Sequence, residues 1–158
     1  MIESYLSILE DSLNKKLELL KKIEGKSLEQ SMMLKDRTIN SDFIDRNMDD
    51  KLSMINEVIH LDDGFESLYE KIKNELEKNK DKYREQIKRL QELISKVTEK
   101  STSIQAIEAR NKSQMEIYFS NRKKEIQSRK SAMSVAKNYY QNMNKVRNVT
   151  PQFLDRKK

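Results

Sequence analysis

Residues 2–36 read IESYLSILEDSLNKKLELLKKIEGKSLEQSMMLKD, and their apolar positions recur three and four apart: Leu6, Leu9, Leu13, Leu17, Leu20 and Ile23, then Ser27/Leu28 and Ser31/Leu34. That spacing lays one stripe along a helix, with Lys, Glu and Asp on the remaining faces. It predicts a helix over about residues 2–36. Gly25 falls inside the stripe, which resumes at Leu28, so the helix should continue through it at a cost of about 1 kcal/mol relative to Ala.

The same pattern governs the rest of the chain as far as residue 143. Thr38-Ile39-Asn40 reads as a turn, and Ser41 or Asp42 as the cap of a second helix over about 41–61. A short oxygen-bearing side chain there accepts from the free N–H groups of the first turn, and Asp45 adds a favourable charge. Phe43/Ile44, Met48, Leu52, Ile55 and Val58/Ile59 form the buried face. Leu61-Asp62-Asp63-Gly64 should stop this helix and cap the next. Beyond Phe65 no Gly or Pro occurs before Pro151. Leu68, Ile72, Leu76, Tyr83, Ile87, Leu90, Ile94, Val97 and, after a gap, Ile104 keep a spacing of about 3.5 residues, the seam of a left-handed supercoil. A second seam runs through Met115, Tyr118/Phe119, Ile126, Met133, Ala136, Tyr140 and Met143. One helix over 65–143 would be about 120 Å long at 1.5 Å per residue, more than the first two helices can cover. Either the molecule is a rod with exposed apolar ends or the segment bends. The best place for a bend is Thr98-Glu99-Lys100-Ser101-Thr102-Ser103, where β-branched and hydroxyl residues weaken a helix, which gives helices over about 65–98 and 103–143.

Composition agrees with this reading. Two glycines and one proline punctuate 158 residues of which 37% are charged, so almost nothing interrupts a helix. Hydrophobic residues make up only 35%, with no Trp, a core too lean for a compact globule. The expected fold is all-α: an elongated antiparallel helical bundle or coiled coil, with two shorter N-terminal helices and a long C-terminal helical segment, in one domain over residues 1–143. Residues 144–158 have no sustained period and are expected to form a flexible basic tail, from which Val149, Phe153 and Leu154 could dock. The absence of Cys removes disulfide and thiolate chemistry. The first residues lack the basic flank and apolar core of a signal peptide, and no apolar run reaches membrane-spanning length, which leads to the expectation of a cytoplasmic protein without membrane insertion. The net charge of +6 is concentrated at one end: residues 121–158 carry +9 and residues 1–120 carry −3.

Few residues suggest chemistry. Glu57 and His60 have the Glu-x-x-His spacing of di-iron bundles, but such sites need the motif twice and His60 is the only histidine. A helix-end histidine near Asp62 is the better reading, with no metal and no cofactor. Asp62-Asp63-Gly64 lacks the alternating oxygen ligands of a calcium loop. Carboxylate pairs such as Asp45/Asp49 read as solvated helix faces, and without a nucleophile elbow or glycine loop an enzyme is not expected. The basic run Arg122-Lys123-Lys124 with Arg129-Lys130 lies near Tyr118, Phe119, Tyr139 and Tyr140 and invites a nucleic-acid reading. Tyr118, Phe119 and Tyr140 belong to the apolar seam, however, so a core or partner-facing role is preferred.

With those residues laid out, the chain resembles the FlgN-type flagellar export chaperones, with the FliT-type chaperones as near neighbours. The leucine-rich first helix carries the resemblance, together with Asp45-Arg46-Asn47-Met48-Asp49-Asp50-Lys51-Leu52, the long third helix, and Ile104-Gln105-Ala106-Ile107-Glu108-Ala109-Arg110-Asn111-Lys112. The last stretch is similar to the asparagine-containing segment that precedes the family's client-binding helix, although the usual asparagine pair is not present around Asn111. The resemblance implies a non-enzymatic cytoplasmic chaperone that masks the helical ends of hook–filament junction proteins and delivers them to the type III export apparatus. On that implication Met115, Tyr118, Phe119, Ile126, Met133, Val135, Ala136, Tyr139, Tyr140 and Met143 form the client surface. Methionine suits such a surface because its unbranched thioether adapts to different partners. The competing expectations are a homodimeric structural coiled coil and, less favoured, a basic helical nucleic-acid binder.

Overall fold

The computed structural model of the chain describes residues 1–36, 38–121 and 130–146. Among these the chain is all-α, with helices α1 (Ile2–Lys35), α2 (Ser41–Lys78), α3 (Arg84–Asn121) and α4 (Lys130–Lys145) and no strand. At about 1.5 Å per residue the 38-residue helices α2 and α3 are each about 57 Å long.

Side-chain pairs fix how the helices lie. Asp62 answers Lys16, and Asn47 donates to the Lys26 carbonyl, so α2 runs back along α1. Arg89 reaches Glu10 and Lys100 reaches Glu24, so α3 runs parallel to α1 and directly beside it. Asn142 on α4 donates to Asn56 on α2, and Tyr139 sits over Lys51, which makes α4 parallel to α2.

The core divides along this length. At one end Ile2, Leu6, Leu9 and Leu13 meet Tyr69, Ile72 and Leu76 of α2 and Tyr83, Ile87, Leu90 and Ile94 at the start of α3, a three-helix packing. At the other, Leu20 and Ile23 meet Ile44, Met48, Ile55 and Val58 of α2, Val97, Ile104, Met115 and Tyr118 of α3, and Ala136, Tyr139 and Met143 of α4. Here α4 supplies the fourth wall.

α1 occupies the residues that its stripe predicts and passes through Gly25 without interruption. Other expectations are corrected. The N-cap of α2 is Asn40, whose side chain accepts from the Asp42 N–H at 3.0 Å, one residue ahead of the expected Ser41 or Asp42. Leu61-Asp62-Asp63-Gly64 does not end α2: Asp62 spends its carboxylate on Lys16 at 2.6 Å rather than on a cap, and tertiary packing on both sides carries the helix over Gly64 to Lys78. The interruption comes instead at Asn79. Its side-chain amide donates to the Glu75 carbonyl at 2.7 Å, and its own carbonyl accepts from the N–H groups of Lys82 and Tyr83. The expected break at 98–103 does not occur, because α3 continues through these residues from Arg84 to Asn121. Thr102 bonds the Thr98 carbonyl, Ser103 bonds Glu24 on α1, and Ser101 is fully buried, so none of these hydroxyls caps a helix end. The expected helices 65–98 and 103–143 are therefore the end of α2, all of α3, and α4. Val146 still packs in the core at the start of the expected tail, and residues 147–158, including Val149, Phe153 and Leu154, lie outside the described residues.

Candidate functional site

Two features stand together in the four-helix half: a groove between α3 and α4, and a buried polar cluster behind it. The groove has a volume of about 630 Å³. Lys112, Met115, Glu116, Phe119 and Ser120 line it from α3, and Ala136, Lys137, Tyr140, Gln141 and Asn144 from α4. These residues recur four apart on each helix, so each helix presents two adjoining turns. The aromatic rings are held by neighbours one residue away. Phe119 meets Tyr118 edge-on, with centroids 5.5 Å apart, and Tyr140 meets Tyr139 likewise at 5.4 Å. The Lys112 ammonium stands 5.9 Å from the Tyr140 ring centroid.

Behind the groove every helix contributes a polar residue. The Lys51 ammonium donates to both Glu108 carboxylate oxygens, at 2.8 and 3.0 Å, and to the Gln30 carbonyl oxygen. These three acceptors use all three of its protons, and the Tyr139 ring lies 4.5 Å away. Asn111 donates to the Ser27 carbonyl at 2.8 Å and to Gln30 at 3.3 Å, while the Gln30 amide reaches the Met48 sulfur at 3.0 Å. Burial pulls the Lys51 ammonium below the ordinary lysine range, with Glu108 opposing. Burial first, and then the Glu108 charge, pushes the Tyr139 and Tyr140 hydroxyls well above the usual tyrosine value. Tyr140 thus has a ring on the groove and a hydroxyl turned toward the cluster, enclosed without a hydrogen bond of ordinary geometry.

Comparison with protein-family models, curated proteins and solved structures gives no match.

The ten residues of the expected client surface do not share one environment. Met115, Tyr118, Ala136, Tyr139 and Met143 are buried in the chain's own core, because α4 folds back and covers the seam that the sequence left open. Phe119, Val135 and Tyr140 are half-buried at its edge. Met115, Phe119, Ala136 and Tyr140 line the groove. Ile126 and the side chain of Met133 lie outside the described residues, as do Arg122, Lys123, Lys124 and Arg129.

Glu57 and His60 sit exposed in the middle of α2, not at a helix end, on an open groove of about 550 Å³ that Lys15 and Lys22 also line. Among the described residues no group of three potential metal ligands is brought together. Gln30, Lys51, Glu108 and Asn111 had no expected role in a site, although the last three lie in the stretches that carry the family resemblance and the signal existed. Glu108 and Asn111 fill the gap between Ile104 and Met115 at seam spacing, and Lys51 sits between Met48 and Ile55 in the stripe of α2. No helix among the described residues is long and apolar enough to cross a membrane.

Proposed function

We propose that this chain is a cytoplasmic flagellar export chaperone of the FlgN type, which holds the amphipathic helical end of a hook–filament junction protein and passes it, unassembled, to the export apparatus. The observation that carries this reading is the α3–α4 groove. Met115 and Ala136 are buried along it and Phe119 and Tyr140 stand half-buried, one on each helix, an apolar lining of the kind that receives the apolar face of an amphipathic helix. The sequence resemblance in residues 104–112, which lead into the groove, supports the same function. No chemistry is asked of the site. Its task is to cover an adhesive helix with an affinity low enough for release, which a shallow groove with few anchoring residues provides.

The test is co-purification with the C-terminal helical segments of the hook–filament junction proteins encoded in the same genome. A stoichiometric complex, lost in a Phe119→Ser variant that keeps its helical circular dichroism, supports the proposal. Absence of any complex, together with a dimer that persists at high dilution, would replace it with the homodimeric coiled-coil reading.

A further inference from the structure

We infer that the helix accepted by the α3–α4 groove carries acidic residues beside its apolar stripe; this rests on the groove being the client site. The lining carries more positive than negative charge. Lys112 on α3 and Lys137 on α4 are exposed, one on each helix, and Glu116 is the single carboxylate among the lining residues. The surroundings reinforce them: α4 contains Lys130, Lys137 and Lys145 and no Asp or Glu. The described residues from 109 onward carry five Lys or Arg against the one carboxylate of Glu116, net +4. The two lysines against one carboxylate on the lining favour carboxylates on the occupant and disfavour a basic helix there. The apolar lining with Phe119 and Tyr140 requires an apolar stripe on the same occupant, which separates it from a polyanion that needs only charge. The lining residues span Lys112 to Ser120 and Ala136 to Asn144, eight steps each, or about 12 Å. The occupant therefore needs about two turns in contact.

The probes are three fluorescein-labelled amphipathic peptides of about 20 residues with one shared leucine stripe, flanked by Glu, Gln or Lys, titrated with the full chain at low and high salt. The expected result is that the Glu peptide binds about five- to tenfold more tightly than the Gln peptide at low salt and the Lys peptide least tightly, with the spread closing at high salt. Lys112→Gln with Lys137→Gln should reduce the Glu peptide to the Gln peptide, whereas Phe119→Ala should weaken all three. Equal binding of the three peptides would overturn the charge preference and leave the groove reading standing. If none binds while the junction-protein segments still co-purify, the preference is likewise overturned. If none binds and nothing co-purifies, both readings fall. A single-stranded oligonucleotide binding as tightly as the Glu peptide, with no loss in the Phe119→Ala variant, would mean the charge serves nucleic acid and would also overturn the inference.

Discussion

The Lys51 ammonium and the Glu108 carboxylate meet in two contacts, at 2.8 and 3.0 Å, in the middle of a bundle where their side chains are 0% and 5% exposed. Their hydrogen bonds extend to Gln30 on α1, and Lys51 faces Tyr139 on α4. The pair therefore sits where all four helices converge. Away from water the desolvation of both charges offsets much of their attraction, so the pair contributes little net stability while its halves are costly alone.

Lys51→Met and Glu108→Gln should each cost about 3–5 kcal/mol, since each strands a buried charge. The double variant Lys51→Met/Glu108→Leu should recover most of that loss. Urea denaturation of the four proteins measures it; single variants within about 1 kcal/mol of the parent would show that water reaches the pair.

The stability of the fold should fall as pH rises above about 10. Tyr139 and Tyr140 both have raised pKa values in the folded chain, by burial first and then by the Glu108 charge. Above the ordinary tyrosine value the unfolded chain releases these protons while the folded chain keeps them, so unfolding gains with each further unit of pH. The slope is limited to about 1.4 kcal/mol per pH unit for each tyrosine. Lys51 acts in the opposite sense, because its lowered pKa leaves the unfolded chain holding the proton longer. Its contribution ends near the ordinary lysine value of about 10.4, which leaves the tyrosines to act alone. Denaturation midpoints between pH 8.5 and 11.5 should show the decline, and Tyr139→Phe with Tyr140→Phe should reduce it, leaving the part due to Tyr69, whose hydroxyl burial also raises. Because the Tyr140 hydroxyl is enclosed and has no hydrogen bond of ordinary geometry, with Gln30 its nearest polar partner, Tyr140→Phe alone should change stability by less than about 1 kcal/mol at neutral pH.

The helical class was legible because it depends on periodicity, and α1 needed nothing more: its leucines recur at helical spacing over 34 residues. Helix ends were less legible because their signals are local and packing overrides them. Asp62-Asp63-Gly64 has the composition of a stop, but with Lys16 opposite, Asp62 gains more from an ion pair than from a cap. Asn79 has weaker composition for a stop and yet ends α2, because the polar run from Lys78 to Lys82 offers no side chain to bury between Leu76 and Tyr83. The candidate surface was half legible for a related reason. An apolar stripe marks residues that will be covered but not what covers them. The sequence assigned the stripe of α4 to a partner, whereas α2 of the same chain packs closely against α4 and its buried residues join the chain's own core. The polar cluster appeared in the sequence only as a gap in a seam, since a pattern of apolar residues cannot say whether a polar interruption faces water or another polar group.

Gly25 and Gly64 give a direct measure of how strongly packing overrides propensity. Both lie inside helices, neither has positive φ, and a Cβ added at either meets nothing within 4 Å. No turn or close approach requires them. Gly25→Ala and Gly64→Ala should each stabilise the chain by about 0.5–1 kcal/mol, mainly by restricting the unfolded chain. For a domain of this size that raises the melting temperature by roughly 2–4 °C per kcal/mol, readable by circular dichroism. A fall in melting temperature for Gly64→Ala would mean that α2 is interrupted there.

Phe119 and Tyr139 separate the two environments that the apolar stripe combines. Tyr139 is fully buried against Lys51 and Met143, so Tyr139→Ala should cost about 3–5 kcal/mol and loosen α4 from α2. Phe119 is half-buried on the groove, and Phe119→Ala should cost only about 1 kcal/mol, half of what a fully buried ring contributes. On the proposed function the order reverses for binding per unit of lost stability. Phe119→Ala should release the junction-protein helix at a temperature where the chain is still fully folded. Tyr139→Ala should lose binding only in step with its folded fraction. Paired measurements of melting and of complex yield across temperature for the two variants test this. If complex yield followed the folded fraction equally in both, Phe119 would be a core residue and the groove would not be the client site.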